Sequence, residues 1–268
     1  MNDATPTPVA LGWPVPDRPW MRSTVTARVD LGVRWRFSPS ALRGATLEQI
    51  ARVSGGNERM HSDWNGRLGG EEGETISRIP PILYRVRGDA AHLYLWGPRT
   101  AERLAELGAV DCVINPEGRV CPVELTMDTR TEEVGITPRA WHLYETTTPW
   151  WPPARPWGRR PQRTDPDAVW AAWCADALSI GILGFFRAMG ATEITEGGAS
   201  RLTVSVVSAH RTSVVWHRDE KGIHKEETGF LLRFVANCAL PDGIMLGKHG
   251  AEGYGEIRRT GAVKIQKA

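Results

Sequence analysis

The densest chemistry in this sequence lies near its C-terminal end, in Gly247-Lys248-His249-Gly250-Ala251-Glu252-Gly253-Tyr254-Gly255. Glycines lack a Cβ, so such a backbone can turn sharply and aim N–H groups at anionic oxygens while Lys248 adds charge. The guest that suits it is a phosphate. A nucleotide P-loop is excluded by spacing: it needs four residues between its first Gly and the Gly-Lys, then Ser or Thr and a helix. Here Gly243 to Gly247 leaves three, His249 follows the lysine, and the strand-like Glu256-Ile257-Arg258-Arg259 comes next. The bland alternative is a flexible hairpin, since glycines gather in turns for many reasons. Arg28, Arg34 and Arg36 recur on one side of an alternating segment, either solvated at a sheet edge or set against a polyanion. In Trp150-Trp151-Pro152-Pro153-Ala154-Arg155-Pro156-Trp157-Gly158-Arg159-Arg160, tryptophans interleave with Arg155, Arg159 and Arg160. Those rings either anchor a linker, the reading favoured here, or stack on unpaired bases.

The totals limit what these groups can serve. A chain of 268 residues with 41% hydrophobic content holds one large or two small cores without metal or disulfide staples. The formal charge is +2, so its 33 Lys and Arg engage a nucleic acid only as local patches. Cys112, Cys121, Cys174 and Cys238 are scattered, which indicates neither a disulfide frame nor a zinc site and suits a reducing cytoplasm. Residues 1–19 are Pro-rich without a basic start or apolar run, so no secretory signal is expected. The apolar stretch 168–189 is interrupted by Asp176 and Arg187 and is expected to be a core helix, not a membrane span.

The elements that must position these groups follow from periodicity. Val25, Ala27, Val29, Leu31, Val33, Trp35 and Phe37 alternate with mostly polar residues, which predicts a half-buried strand over 24–37. Ser38-Pro39 reads as an N-cap and first helical residue, and Gly55-Gly56 as the stop. Residues 57–74 show no period and are expected to form a loop. A hairpin over 82–96, a short helix over 99–107, strands over 110–114 and 119–127, a helix over 166–189, and strands over 202–208, 212–217 and 230–239 complete the reading. Helices interleaved with strands, without repeated parallel units, indicate an α+β architecture of two tandem ferredoxin-like (RRM-like) domains, antiparallel sheets backed by helices. The expected domains are 20–115 and 116–268, the second holding the Pro/Trp-rich segment 148–160, the long helix 166–189 and the glycine-rich loop 243–255.

Four motifs then stand in order along the chain: Ser38-Pro39-Ser40-Ala41-Leu42-Arg43-Gly44 after the first strand; Arg78-Ile79-Pro80-Pro81-Ile82-Leu83-Tyr84-Arg85; Leu143-Tyr144-Glu145-Thr146-Thr147-Thr148-Pro149-Trp150; and Phe234-Val235-Ala236-Asn237-Cys238-Ala239-Leu240-Pro241 leading to the glycine loop. Together they resemble the RAMP-type CRISPR-associated endoribonucleases that cut repeat RNA into guide RNAs, over residues 24–259. The departures from the usual motifs resemble a divergent member, and the type IV processing subunit is the preferred placement.

The resemblance implies metal-independent cleavage with no cofactor, in which a ribose 2′-OH attacks the adjacent phosphate. It implies as partners the CRISPR repeat stem-loop and other effector-complex subunits, with the product retained, and no membrane. As candidate catalytic residues it implies His61, the histidine in the region after the first helix, with Arg28 and Arg43 stabilising phosphorane charge. His249 is the next candidate for proton transfer. His142, His210, His217 and His224 are read as structural. Arg34, Arg36, Arg59, Arg155, Arg159, Arg160, Arg258 and Arg259 are implied as RNA-backbone contacts, with Gly247, Lys248, His249, Gly250, Gly253, Tyr254 and Gly255 forming the phosphate-contacting loop. Two other functions remain: a catalytically silent RAMP subunit that binds and caps guide RNA, and an unrelated ferredoxin-like enzyme for small phosphorylated metabolites.

Overall fold

A strand that is apolar on alternate positions must find cover for one face, and here that need organises the first unit. The computed structural model describes residues 20–55, 67–69, 75–77, 82–137, 140–152, 160–162, 164–191, 194, 201–218, 224–248, 250 and 253–263. β1 (Trp20–Arg34) buries Ala27, Val29, Leu31 and Val33. They pack against Leu42, Ala45, Leu47 and Ile50 of α1 (Pro39–Val53). The helix starts as the sequence predicts: the Ser38 hydroxyl accepts a bond from the Ala41 N–H at 3.2 Å, and Pro39 follows at the first helical position. It stops before Gly55, which is left-handed at φ 80°.

The short strands β2 (Arg67–Gly69) and β3 (Thr75–Ser77) pair with each other, so part of the expected loop over 57–74 is strand. Then come β4 (Ile82–Arg87), β5 (Ala90–Trp96), α2 (Thr100–Gly108), the hairpin β6 (Cys112–Ile114) and β7 (Val120–Pro122), and β8 (Thr126–Ile136). The first sheet has the order β8-β1-β5-β4, with every pair antiparallel, which is the ferredoxin-like arrangement of a β-α-β-β-α-β chain. Hydrogen bonding thus carries this sheet to Ile136, past the division at 115 and 116 expected from the sequence.

The second unit repeats the plan with one change. β9 (Trp141–Thr146), α3 (Asp167–Ala188), β10 (Val204–Arg218), β11 (His224–Ala236) and β13 (Ile257–Val263) give a sheet ordered β10-β11-β9-β13. The place of its second helix is taken by the segment 240–256. Before that segment, β12 (Cys238–Ala239) leaves the second sheet and adds to β8 of the first. Asn237 holds this switch: its side-chain oxygen accepts from the Thr203 N–H at 2.7 Å and its amide nitrogen donates to the Arg201 carbonyl at 2.8 Å. The expected strands over 202–208 and 212–217 are one strand, with irregular register at Val206/Ser208 and Val215/His217.

α3 is a core helix, as its sequence predicts. Trp170, Trp173, Cys174, Ala177, Leu178, Ile182, Phe185 and Phe186 are buried in the core shared by both units, where Leu83, Trp96, Val134 and Ile136 of the first sheet also lie. The face of the first sheet turned away from α1 and α2 is therefore the one that meets the second unit. Trp150 and Trp151 are fully buried, so these two rings anchor the chain and do not stand ready for bases. Cys112 and Cys121 sit in adjacent rows of the β6–β7 hairpin on opposite faces, consistent with four free cysteines.

The glycines of the 240–256 segment are required by packing. An added Cβ at Gly247 (φ 103°) would lie 2.1 Å from the Trp151 carbonyl oxygen, and one at Gly255 (φ 75°) would lie 2.3 Å from that of Leu246. Gly247→Ala and Gly255→Ala are each expected to cost about 2 kcal/mol or more in unfolding free energy. Gly261→Ala on β13, with nothing within 4 Å of the added atom, should change stability by less than about 1 kcal/mol. Urea titrations of the three variants check this.

Candidate nucleic-acid interface

The sequence places a positively polarised helix end and a basic loop far apart in the chain, and the fold brings them together. An added Cβ at Gly253 would sit 3.5 Å from Pro39 Cγ, so the loop rests on the first turn of α1. That turn carries no acidic residue; Pro39 has no N–H and the Ala41 and Leu42 amides bond Ser38, so among the described residues only the Ser40 N–H of this turn is left open toward an anion. The same loop carries exposed Lys248 and half-buried Tyr254, whose ring meets Trp151 edge-on at 4.4 Å. Arg43 lies one turn into the helix, half-buried and within electrostatic reach of Tyr84, whose phenol is pushed well above its usual range by burial.

The loop differs from a phosphate cradle in one respect. The Lys248 N–H donates to the Trp151 carbonyl at 3.1 Å, Gly253 to that of Gly250 at 2.9 Å, and Gly255 to that of Pro149 at 2.9 Å. These amides are consumed in holding the loop's own shape, and among the described residues the exposed cation of the loop is the Lys248 side chain.

Behind the loop lies a buried ion pair. Arg85 of β4 bonds Glu256, which immediately precedes β13; the two residues are 6% and 5% exposed. The Glu256 carboxylate also accepts from Arg87 at 3.2 Å and from the Thr147 hydroxyl. Its backbone N–H donates to the Thr148 hydroxyl at 3.0 Å. Burial lowers the Arg85 pKa and the neighbouring Glu256 opposes that shift. Arg85 also lies 5.9 Å from the centre of the Tyr94 ring, and Arg28 lies 6.0 Å from it.

The two arginines of the expected catalytic set are not brought to one place. Arg28 is exposed on β1 opposite Tyr94, on the face turned toward the second unit, because its neighbours Ala27 and Val29 occupy the helix-covered face. Arg43 belongs to the helix layer on the other side. One phosphate cannot be held by both. His61, Arg59, Arg155, Arg159 and His249 lie outside the described residues. Arg34 is exposed and pairs with Asp89 at 3.8 Å, and Arg36 is exposed at the end of the same strand. Arg160 is exposed 6.0 Å from the Trp170 ring. Arg258 is tied to Glu145, and the Arg259 N–H donates to Asp242 at 2.6 Å. Gly250 is buried against Met245. Arg85, Glu256 and Tyr94 were not singled out from sequence. The signal for Arg85 was its place beside buried Leu83 in an alternating strand, but nothing in the sequence names a partner 171 residues away.

Comparison with known proteins places this geometry. No family model matches the chain, and no curated protein matches it in sequence. Among solved structures, the fold is similar to "Crystal structure of Cas6b", at TM-score 0.65 and 15% identity over 89% of this chain and 100% of that one. It is also similar to "Crystal structure of CRISPR RNA processing endoribonuclease Cas6b", at TM-score 0.53 and 13% identity over 89% and 100%. A type IV Cas6 crRNA endonuclease, Csf5, aligns at TM-score 0.39 and 17% identity over 89% and 99%, too loosely to bear on the type IV placement. The chain therefore has the tandem ferredoxin-like α+β fold of Cas6-type RAMP proteins, and the resemblance read from its four motifs holds at the level of fold.

Two imidazoles give the fold a pH signature. His92, 3.5 Å from Asp30, is held below the ordinary imidazole range by burial, with Arg28 and Arg87 adding to the effect and Asp30 opposing it. His142 is lowered by burial and by Arg259. The unfolded chain then binds more protons than the native one as pH falls through the ordinary range near about 6.5. The contribution is full above that range and is lost on acidification toward the depressed native values. Urea denaturation should show stability falling from pH 7 to pH 5, with a shallower slope in His92→Gln.

Proposed function

We propose that this chain is a metal-independent endoribonuclease that cuts CRISPR precursor RNA at the repeat stem-loop and keeps the product as one subunit of a cytoplasmic effector complex. The observation that carries this reading is the seating of the glycine loop on the first turn of α1, within a fold shared with Cas6b. Lys248, assisted by the Ser40 N–H and the positive end of the helix dipole, holds a backbone phosphate, and Arg43 supplies bidentate charge to the phosphorane. A base, assigned to His61, takes the 2′-OH proton as that oxygen bonds to phosphorus. The bond to the 5′ oxygen breaks as that oxygen gains a proton, leaving a cyclic phosphate on one fragment and a 5′-OH on the other. Deoxyribose at the cut offers no nucleophile.

One observation favours a second reading, a silent RAMP subunit that caps guide RNA: the loop amides of Lys248, Gly253 and Gly255 are already bonded within the protein. Labelled repeat RNA incubated with the protein in EDTA separates the two. The first reading predicts site-specific cleavage, abolished by a single 2′-deoxy substitution at the cut, and a rate about a hundredfold lower in Arg43→Ala. Tight binding without cleavage supports the cap. Saturable mononucleotide binding without hairpin preference supports a small-metabolite enzyme instead.

A further inference from the structure

Strand β8 leaves one side of its backbone open. β1 pairs with it from Thr126 to Ile136, and on its other side β12 takes only Gly135 and Ile136 among the described residues. Thr126 to Thr131 are all exposed. Alternate residues of an antiparallel strand turn their N–H and C=O groups to each side, so this stretch offers an unpaired row to a strand of matching pattern. β12 shows that the edge accepts one. The side chains decide which strand fits. Asp128, Arg130 and Glu132 lie on the face that Arg28 shares, and Met127, Thr129 and Thr131 lie on the other. Arg130 bonds Asp128 of its own strand, at 2.8 and 3.2 Å.

Charges on a free edge ordinarily keep other strands away, yet in one arrangement this edge is complementary to itself. Two copies meeting edge to edge about a two-fold axis normal to the sheet set one residue opposite its own twin and pair its neighbours crosswise. An axis at Asp128 or at Arg130 sets like charges opposite each other. An axis at Thr131 sets Met127 against Gly135, where β12 already pairs, and one at Met127 sets Thr129 against Leu125, before the strand begins. An axis at Thr129 avoids all of these faults. It sets Asp128 of each copy opposite Arg130 of the other, and because Arg28 stands beside Asp128 in register, signs alternate along the row Arg28, Asp128, Arg130. On the opposite face Met127, 41% exposed, enters the row that holds Thr131 and Val25 of the second copy, Val25 being 38% exposed. We propose that β8 is a self-association edge, which joins two copies of this chain antiparallel about Thr129 into one continuous sheet. The proposal stands apart from the ribonuclease reading.

Residues 126–132 on each side make a contact about a third of the size of a standard interface, so the dimer is weak, with a dissociation constant on the order of 10–100 μM. Sedimentation equilibrium on the full chain without RNA, at concentrations spanning that range, should show monomer and dimer. Asp128→Lys and Arg130→Asp should each weaken self-association about tenfold, because the axis counts each lost pair twice. Mixed one to one, the two variants restore opposite charges across the edge and should associate at close to the original affinity, which also shows that both are folded. Thr129→Cys should give a disulfide-linked dimer under mild oxidation, and the unchanged chain, with its four free cysteines, should not. A chain that stays monomeric throughout overturns the proposal, as does a dimer that neither charge change weakens and that Thr129→Cys does not cross-link.

Discussion

The Arg85–Glu256 pair is the constraint on which this structure turns. It joins β4 of the first unit to the residue that ends the glycine loop of the second, with both groups almost fully buried. Two charges taken out of water are costly unless geometry and added hydrogen bonds compensate. Here Glu256 collects Arg87, the Thr147 hydroxyl and the Thr148 hydroxyl around it. Such an arrangement tolerates little sliding between the units. It fixes where the loop leaves the core and hence where Gly253 meets Pro39.

The rest of the second unit serves the same placement. A ferredoxin-like unit ordinarily backs its sheet with two helices, and this one gives the second helix up for a segment that crosses to the first sheet. The crossing needs a sheet switch, made at Asn237, whose side chain satisfies backbone groups left open as β11 ends. The Tyr144 hydroxyl does the same one strand over, donating to the Cys238 carbonyl at 2.9 Å and accepting from the Leu240 N–H at 3.0 Å. The return needs glycines, because at 247 and 255 neighbouring carbonyls occupy the space a Cβ would take. Glycine density in this loop thus reflects close packing more than an amide cradle.

Legibility from sequence followed how locally each feature is encoded. The alternation of Ala27, Val29, Leu31 and Val33, the Ser38-Pro39 cap and the apolar spacing of α3 are each contained in a few turns of chain, and all were readable. β8 was read only in part, because Thr126 to Thr131 are exposed on both faces and leave no alternating signature. β9 overlaps the Leu143–Trp150 motif and is not among the strands expected from periodicity, although its buried residues sit at the centre of the second sheet. The face on which Arg28 lies could be read, but not that the second unit, and not α1, would oppose it. That depends on contacts made across more than a hundred residues. The same holds for Arg85, whose partner only the fold reveals.

The most direct test of this account is a double-mutant cycle on Arg85→Met and Glu256→Leu, read by urea denaturation and by affinity for repeat RNA on the same proteins. Glu256→Leu strands the buried Arg85 and should cost about 3–5 kcal/mol of stability; Arg85→Met leaves Glu256 with Arg87 and the Thr147 hydroxyl and should cost less, with RNA affinity falling alongside in both. The double variant should recover most of the stability and part of the affinity, because an apolar pair of similar volume can replace the latch. Single costs that merely add in the double variant, with RNA affinity unmoved throughout, would contradict the claim that this pair sets the loop against the helix.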